Sequence, residues 1–119
     1  MKMKIALAVF ISLISAVPLA NAAGAVARNP RNNDSAVVVN KKTADDATHD
    51  ALLACGSECE IVKSFQNSCV AYAADHRANS THYGIGEASD ADSAGENALN
   101  KCQDGGGSCT VMSSGCDGK

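Results

Sequence analysis

Six cysteines fall in two sets of three: Cys55, Cys59 and Cys69, then Cys102, Cys109 and Cys116. The first and third members of the sets recur at a spacing of 47 positions, the second members at 50. The surplus lies in QDGGGS (103–108), where a longer loop costs little entropy. ADDATHDALLAC (44–55) matches ADSAGENALNKC (91–102) at the same offset, and AVARN (25–29) pairs more loosely with AYAAD (71–75). One pattern written twice reads as two tandem copies, about 24–69 and 70–116.

The beginning of the chain says where those cysteines are used. Lys2 and Lys4 precede an apolar run from Ile5 to Val17, and Ala20-Asn21-Ala22 is a small-x-small cleavage site. This predicts a signal peptide over 1–22, cleaved after Ala22, and a single disulfide-rich domain over 23–119 that is secreted or periplasmic. The apolar run is short for a membrane span and Pro18 interrupts its end, so no transmembrane segment is expected after cleavage. Cleavage removes two lysines and no acid, leaving 97 residues with 8 basic and 13 acidic side chains, a formal −5. Such a balance argues against nucleic acid or an anionic membrane as partner, since both select a basic surface.

The core is thin. Only 13 Leu, Ile, Val and Phe residues remain in those 97, below the roughly 20% at which composition signals disorder. A domain of this size is marginal without covalent help. An even number of cysteines in an exported chain implies disulfides, each contributing about 2–4 kcal/mol. Six cysteines allow 15 connectivities. Two-fold pseudosymmetry favours Cys55–Cys59 and Cys102–Cys109 as staples at two helix-to-strand turns, leaving Cys69–Cys116 to join the copies.

Two helices carry the clearest local pattern. Ala44, Ala47, Ala51, Leu52 and Cys55 lie at i, i+3, i+7, i+8 and i+11, as do Ala91, Ala94, Ala98, Leu99 and Cys102. That is one small-residue stripe of a 3.6-period helix, with Thr43 and Asp90 at N-cap positions and acids in the first turns. SAVVVN (35–40), EIVKSF (60–65), CVAYAA (69–74), HYGIGE (82–87) and CTVM (109–112) read as strands. Within EIVKSF, Ile61 and Phe65 are expected on one face and Val62 on the other. NPRNND and DHRANST have turn composition. The expected fold is α+β: a tandem strand-strand-helix-strand repeat forming one largely antiparallel sheet, with two helices on one face.

These residues together resemble the bacterial family called domain of unknown function 4189. The matching positions are Gly24-Ala25-Val26-Ala27, Ala47 through Cys55, Cys59, Cys69, Ala71, Tyr83-Gly84-Ile85-Gly86, Ala98-Leu99, Cys102, Cys109 and Cys116. The family often sets Trp beside the glycines; this chain has none and carries Ala23 and Tyr83 near those places. The resemblance implies an exported, cysteine-stapled domain and brings no catalytic residue with it.

No constellation for chemistry stands out. His49, His76 and His82 are scattered, and no Cys-x-x-Cys or His-x-x-x-His spacing appears, so no metal site is expected. Asp90-x-Asp92 begins like a calcium loop but has Ala94 at position five and Lys101 at position twelve. Paired cysteines leave no thiolate nucleophile, and Tyr83-Gly84-Ile85-Gly86 lacks the third Gly and the Lys of a phosphate loop. The two glycines suit a bulge or close backbone contact against a small-residue helix. No catalytic residue and no cofactor is assigned. The expected function is a non-enzymatic binding or interaction module for a protein of the envelope or exterior, with Asp45, Asp46, His49 and Asp50 as its interaction face. The alternatives are a small hydrolase of wall or surface polymer and a structural envelope component.

Overall fold

The structure is a computed structural model that describes residues 22–75, 77, 80–104 and 108–118. The expected signal peptide, apart from Ala22, lies outside the described residues, as do His76 and Asn79. In chain order the elements are β1 (Ala23–Arg28), β2 (Ser35–Lys41), α1 (Ala44–Cys55), β3 (Glu60–Phe65), β4 (Cys69–Asp75), β5 (Tyr83–Ala88), α2 (Ala91–Asp104) and β6 (Cys109–Cys116). Both helices start where the caps require. The Thr43 hydroxyl accepts from the Asp46 N–H at 3.0 Å, and the Asp90 carboxylate accepts from the Ser93 N–H at 2.8 Å.

The strands form two three-stranded antiparallel sheets, β2-β1-β3 and β5-β4-β6, rather than one. The reason lies in β1 and β4, whose side chains are buried on both faces. Ala23, Ala25 and Ala27 of β1 pack under Ala47 and Ala51 of α1. Cys69, Ala71 and Ala73 of β4 pack under Ala94, Ala98 and Cys102 of α2. On the opposite faces Val26, Phe65, Val70, Tyr72 and Ala74 meet between the sheets. The order of layers is therefore helix, sheet, sheet, helix. The helices occupy the two outer faces, which corrects the expectation that both lie on one face of a single sheet. Along the central strands β1 and β4, mostly small residues meet the helices while Val26, Val70 and Tyr72 meet the other sheet, where each buried Val contributes about 1.5–3 kcal/mol.

The expected alternation in β3 also fails. Ile61 packs toward α1, whereas Val62 and Phe65 contribute to the layer between the sheets. Ala27 opposes Ile61 while Val26 opposes Lys63, so Val62 is an extra residue that breaks the period of two. β6 does the same at Met112, between Val111 opposite Ala73 and Ser113 opposite Tyr72. In each case the bulge falls three positions after the cysteine that precedes or opens the strand, Cys59 or Cys109.

Glycines set the depth of the second helix. A Cβ on Gly84 or Gly86 would run into backbone atoms of α2, at Ala98 and Cys102 for the first and Ala94 and Ala98 for the second. Helix α2 thus rides directly on β5, and the outer face of β6 is left beside it. Three disulfides fasten the frame: Cys55–Cys59 after α1, Cys102–Cys109 between α2 and β6, and Cys69–Cys116 between directly opposed residues of β4 and β6.

Candidate functional site

Polar groups that are buried in this fold are bound to other parts of it. Arg28, 6% exposed, donates from Nε to the Tyr72 hydroxyl at 3.2 Å and from a terminal nitrogen to Asn33 Oδ1 at 2.8 Å. Its guanidinium lies 3.9 Å from the centre of the Tyr83 ring, which stacks on Tyr72 at 5.7 Å. Asn33 closes the set, accepting from Tyr72 and donating to the carbonyls of Asp75, Ser80 and His82. Burial pushes the Tyr72 hydroxyl above the usual tyrosine range, against the opposing pull of the Arg28 hydrogen bond. Sequence reading missed this cluster, because Arg28 and Asn33 flank a turn of exposed composition. The signal available was an arginine closing an otherwise apolar strand.

Asp75 is buried at the end of β4. Its carboxylate accepts from Arg77 Nε at 3.0 and 2.9 Å, from the Arg77 N–H at 3.0 Å and from the Ser108 N–H at 3.3 Å. The Arg77 side chain first, then its backbone N–H and that of Ser108, hold this carboxyl far below the ordinary aspartate range. A depressed folded pKa gives stability that is present above the unfolded value near 3.9 and is lost as pH falls below it toward the folded value. Asp75→Asn should therefore lower the urea midpoint by a constant amount from pH 5 to 7. That difference should shrink below about pH 4, as the carboxyl of the unfolded chain takes up a proton that the native carboxylate still refuses, favouring the unfolded state of wild type alone. A difference that stays constant down to pH 2.5 would contradict it.

The expected interaction face lies on α1. Asp45, Asp46 and His49 are exposed. Asp50 is half-buried and takes the Lys41 ammonium at 2.9 Å. Hydrogen bonding from Lys41 lowers its pKa. Past His49 the helix surface turns apolar. Leu53 is 69% exposed, and His49, Leu52, Leu53, Gly56, Ser57 and Cys59 line a shallow hollow of about 360 Å³. His82 lies in the other half of the chain, where its carbonyl accepts from the Asp75 N–H. Among the described residues no three His, Cys, Asp or Glu side chains gather as metal ligands.

A second hollow, of about 460 Å³, lies between α2 and β6. Ala71, Val111 and Ser114 line its sheet side, with Ala91, Asp92, Gly95, Glu96 and Leu99 on the helix. Val111 and Met112 are 39% and 48% exposed. None of these was singled out from sequence as a surface, because CTVM alone reads as a short strand of unknown facing.

With this geometry, the comparison with protein families is decisive: a model described as Domain of unknown function (DUF4189) matches residues 23–116. The chain belongs to the DUF4189 family. No curated protein and no solved structure was found to match it. The matched span of this DUF4189 domain takes in both sheets, both helices and all six cysteines. Its three disulfides suit an oxidising extracellular or periplasmic environment. Among the described residues no helix is long and apolar enough to cross a membrane.

Proposed function

We propose that the DUF4189 domain over 23–119, built from two tandem copies and exported by a signal peptide cleaved after Ala22, is a non-enzymatic binding module. Its partner is a protein of the cell envelope or exterior. The observation that carries this reading is a frame fastened by three disulfides that nevertheless holds Leu53, Val111 and Met112 out in solvent. Single exposed apolar residues are ordinary on soluble proteins. Here Leu53 and Val111 line hollows on rigid elements, which lowers the ordering entropy that a complex must overcome. The buried polar side chains Arg28, Asn33, Tyr72, Asp75 and Asp117 are all engaged by the fold itself, which supports surface contact over buried chemistry.

The test is crosslinking capture by the tagged, oxidised domain from envelope and culture extracts, followed by affinity measurement on the recovered partner. Leu53→Asp, together with reversal of Asp45, Asp46 and Asp50 to Lys, should leave folding intact, since these side chains lie outside the core. If α1 is the contact face, affinity should fall by roughly ten-fold or more. Unchanged affinity would remove α1 from the interface. Turnover of a wall polymer that disappears in folded His49→Ala would overturn the non-enzymatic reading.

A further inference from the structure

Among the described residues β6 is an edge strand of eight residues, CTVMSSGC, with neither a charge nor a proline. Natural edges are guarded by charges, prolines, brevity or bulges, because their backbone groups recruit another strand. β3, the edge strand that follows α1, carries Glu60 and Lys63. β6 has only the bulge at Met112. Its inner face is closed: Gly115 lies against Val37 and Val39 of β2, and the Ser113 and Ser35 hydroxyls are 2.9 Å apart. Its outer face borders the hollow beside α2, where the lining holds two carboxylates, Asp92 and Glu96, and no base. Resting on the reading of the domain as a binding module, we propose that β6 takes an extended basic peptide segment of a partner protein as a seventh strand. The partner's backbone pairs with β6, its small or apolar side chains settle by Val111 and Ser114, and a Lys or Arg reaches Asp92 and Glu96.

The form of this recognition follows from its parts. Main-chain pairing supplies affinity without reading sequence, while alternate side chains, which share one face of an added strand, supply the choice. An acidic rim selects cationic segments and raises their encounter rate, an effect that weakens with salt. The cross-strand Cys69–Cys116 bridge keeps β6 in register on β4 while its other edge is engaged.

The probe is a synthetic eight-residue peptide of sequence Val-Thr-Lys-Thr-Val-Thr-Lys-Thr, which sets Val and Lys on one face, added to the oxidised domain 23–119 and followed through amide chemical shifts. Shifts concentrated over 109–116 and the first turns of α2 are expected. Replacing Lys by Glu in the peptide should weaken binding by roughly ten-fold or more, and Asp92→Asn with Glu96→Lys should do the same. N-methylation of the alternate peptide amides that point toward β6 should abolish binding, and methylation of the other set should leave it intact. Binding that survives both N-methylation patterns, shifts centred elsewhere, or no binding at millimolar peptide would overturn the proposal. So would sedimentation showing that β6 is occupied by a second copy of this chain. A partner recovered in the capture experiment that binds folded Val111→Lys undiminished would overturn the edge-strand inference alone, leaving the binding-module reading in place. Failure of both capture and peptide binding would sink the two together.

Discussion

Replacing Cys69 and Cys116 together by alanine should cost about 4 kcal/mol, most of the margin of a domain this small. This bridge closes a sequence separation of 47, against 4 for Cys55–Cys59 and 7 for Cys102–Cys109. Loop-closure entropy then assigns roughly 2–2.5 kcal/mol to each of the short bridges. Position adds to span. Cys69 is buried in the layer beneath α2, and among the described residues β6 pairs with β4 alone. Guanidinium midpoints of the three double-alanine variants would check the order. Equal losses would show that the bridges act through local packing and not through the unfolded chain.

Gly86→Ala should be nearly as severe, costing about 3 kcal/mol and roughly 10–20 °C of melting temperature. The added Cβ points at the Ala94 carbonyl oxygen and the Ala98 amide nitrogen, which are backbone atoms that no side-chain rotation can move. Helix α2 would have to lift from β5, opening the contacts of Ala94, Ala98 and Cys102 with β4. Gly95→Ala is the control. It sits on the same helix, its Cβ meets only Val111 Cγ2 at 3.7 Å, and alanine is the better helix former. A melting temperature unchanged by Gly86→Ala would mean that the helix is less closely seated than the structure shows.

The helices were readable because a small-residue stripe has one explanation at a 3.6-residue period, and both N-caps sit next to it. The layering was not readable. Strand reading relies on a polar face alternating with an apolar one, and β1 and β4 have none, being buried on both sides. What distinguishes their faces is size, alanine toward the helix against Val26, Val70 and Tyr72 toward the other sheet. Size alternation of this kind looks like noise until two sheets are known to be present. The facing of Ile61 and Phe65 was misread for a related reason: one bulged residue reverses every side chain beyond it. β6 extends four residues past CTVM because Ser113, Ser114 and Gly115 have weak strand propensity, and pairing with β4 overrides it. As for candidate sites, the acidic face of α1 was visible from helical spacing alone. The hollow beside β6 depends on where α2 comes to rest, which spacing does not specify.

Asp117, fully buried, gives a carboxylate oxygen each to the N–H groups of Asn40 and Asn67, at 2.8 and 3.0 Å. Both asparagines have positive φ, 59° and 55°, where the chain leaves β2 and where it passes from β3 to β4. Neither turn in the first half can be locked until Asp117, some fifty residues beyond the nearer of them, has arrived. A polypeptide emerging N-terminus first, from a ribosome or through a translocation pore, therefore carries both turns unlatched until Asp117 is out. Any interruption before that point would leave the two asparagine turns without the carboxylate that fixes them, and so open to proteolysis.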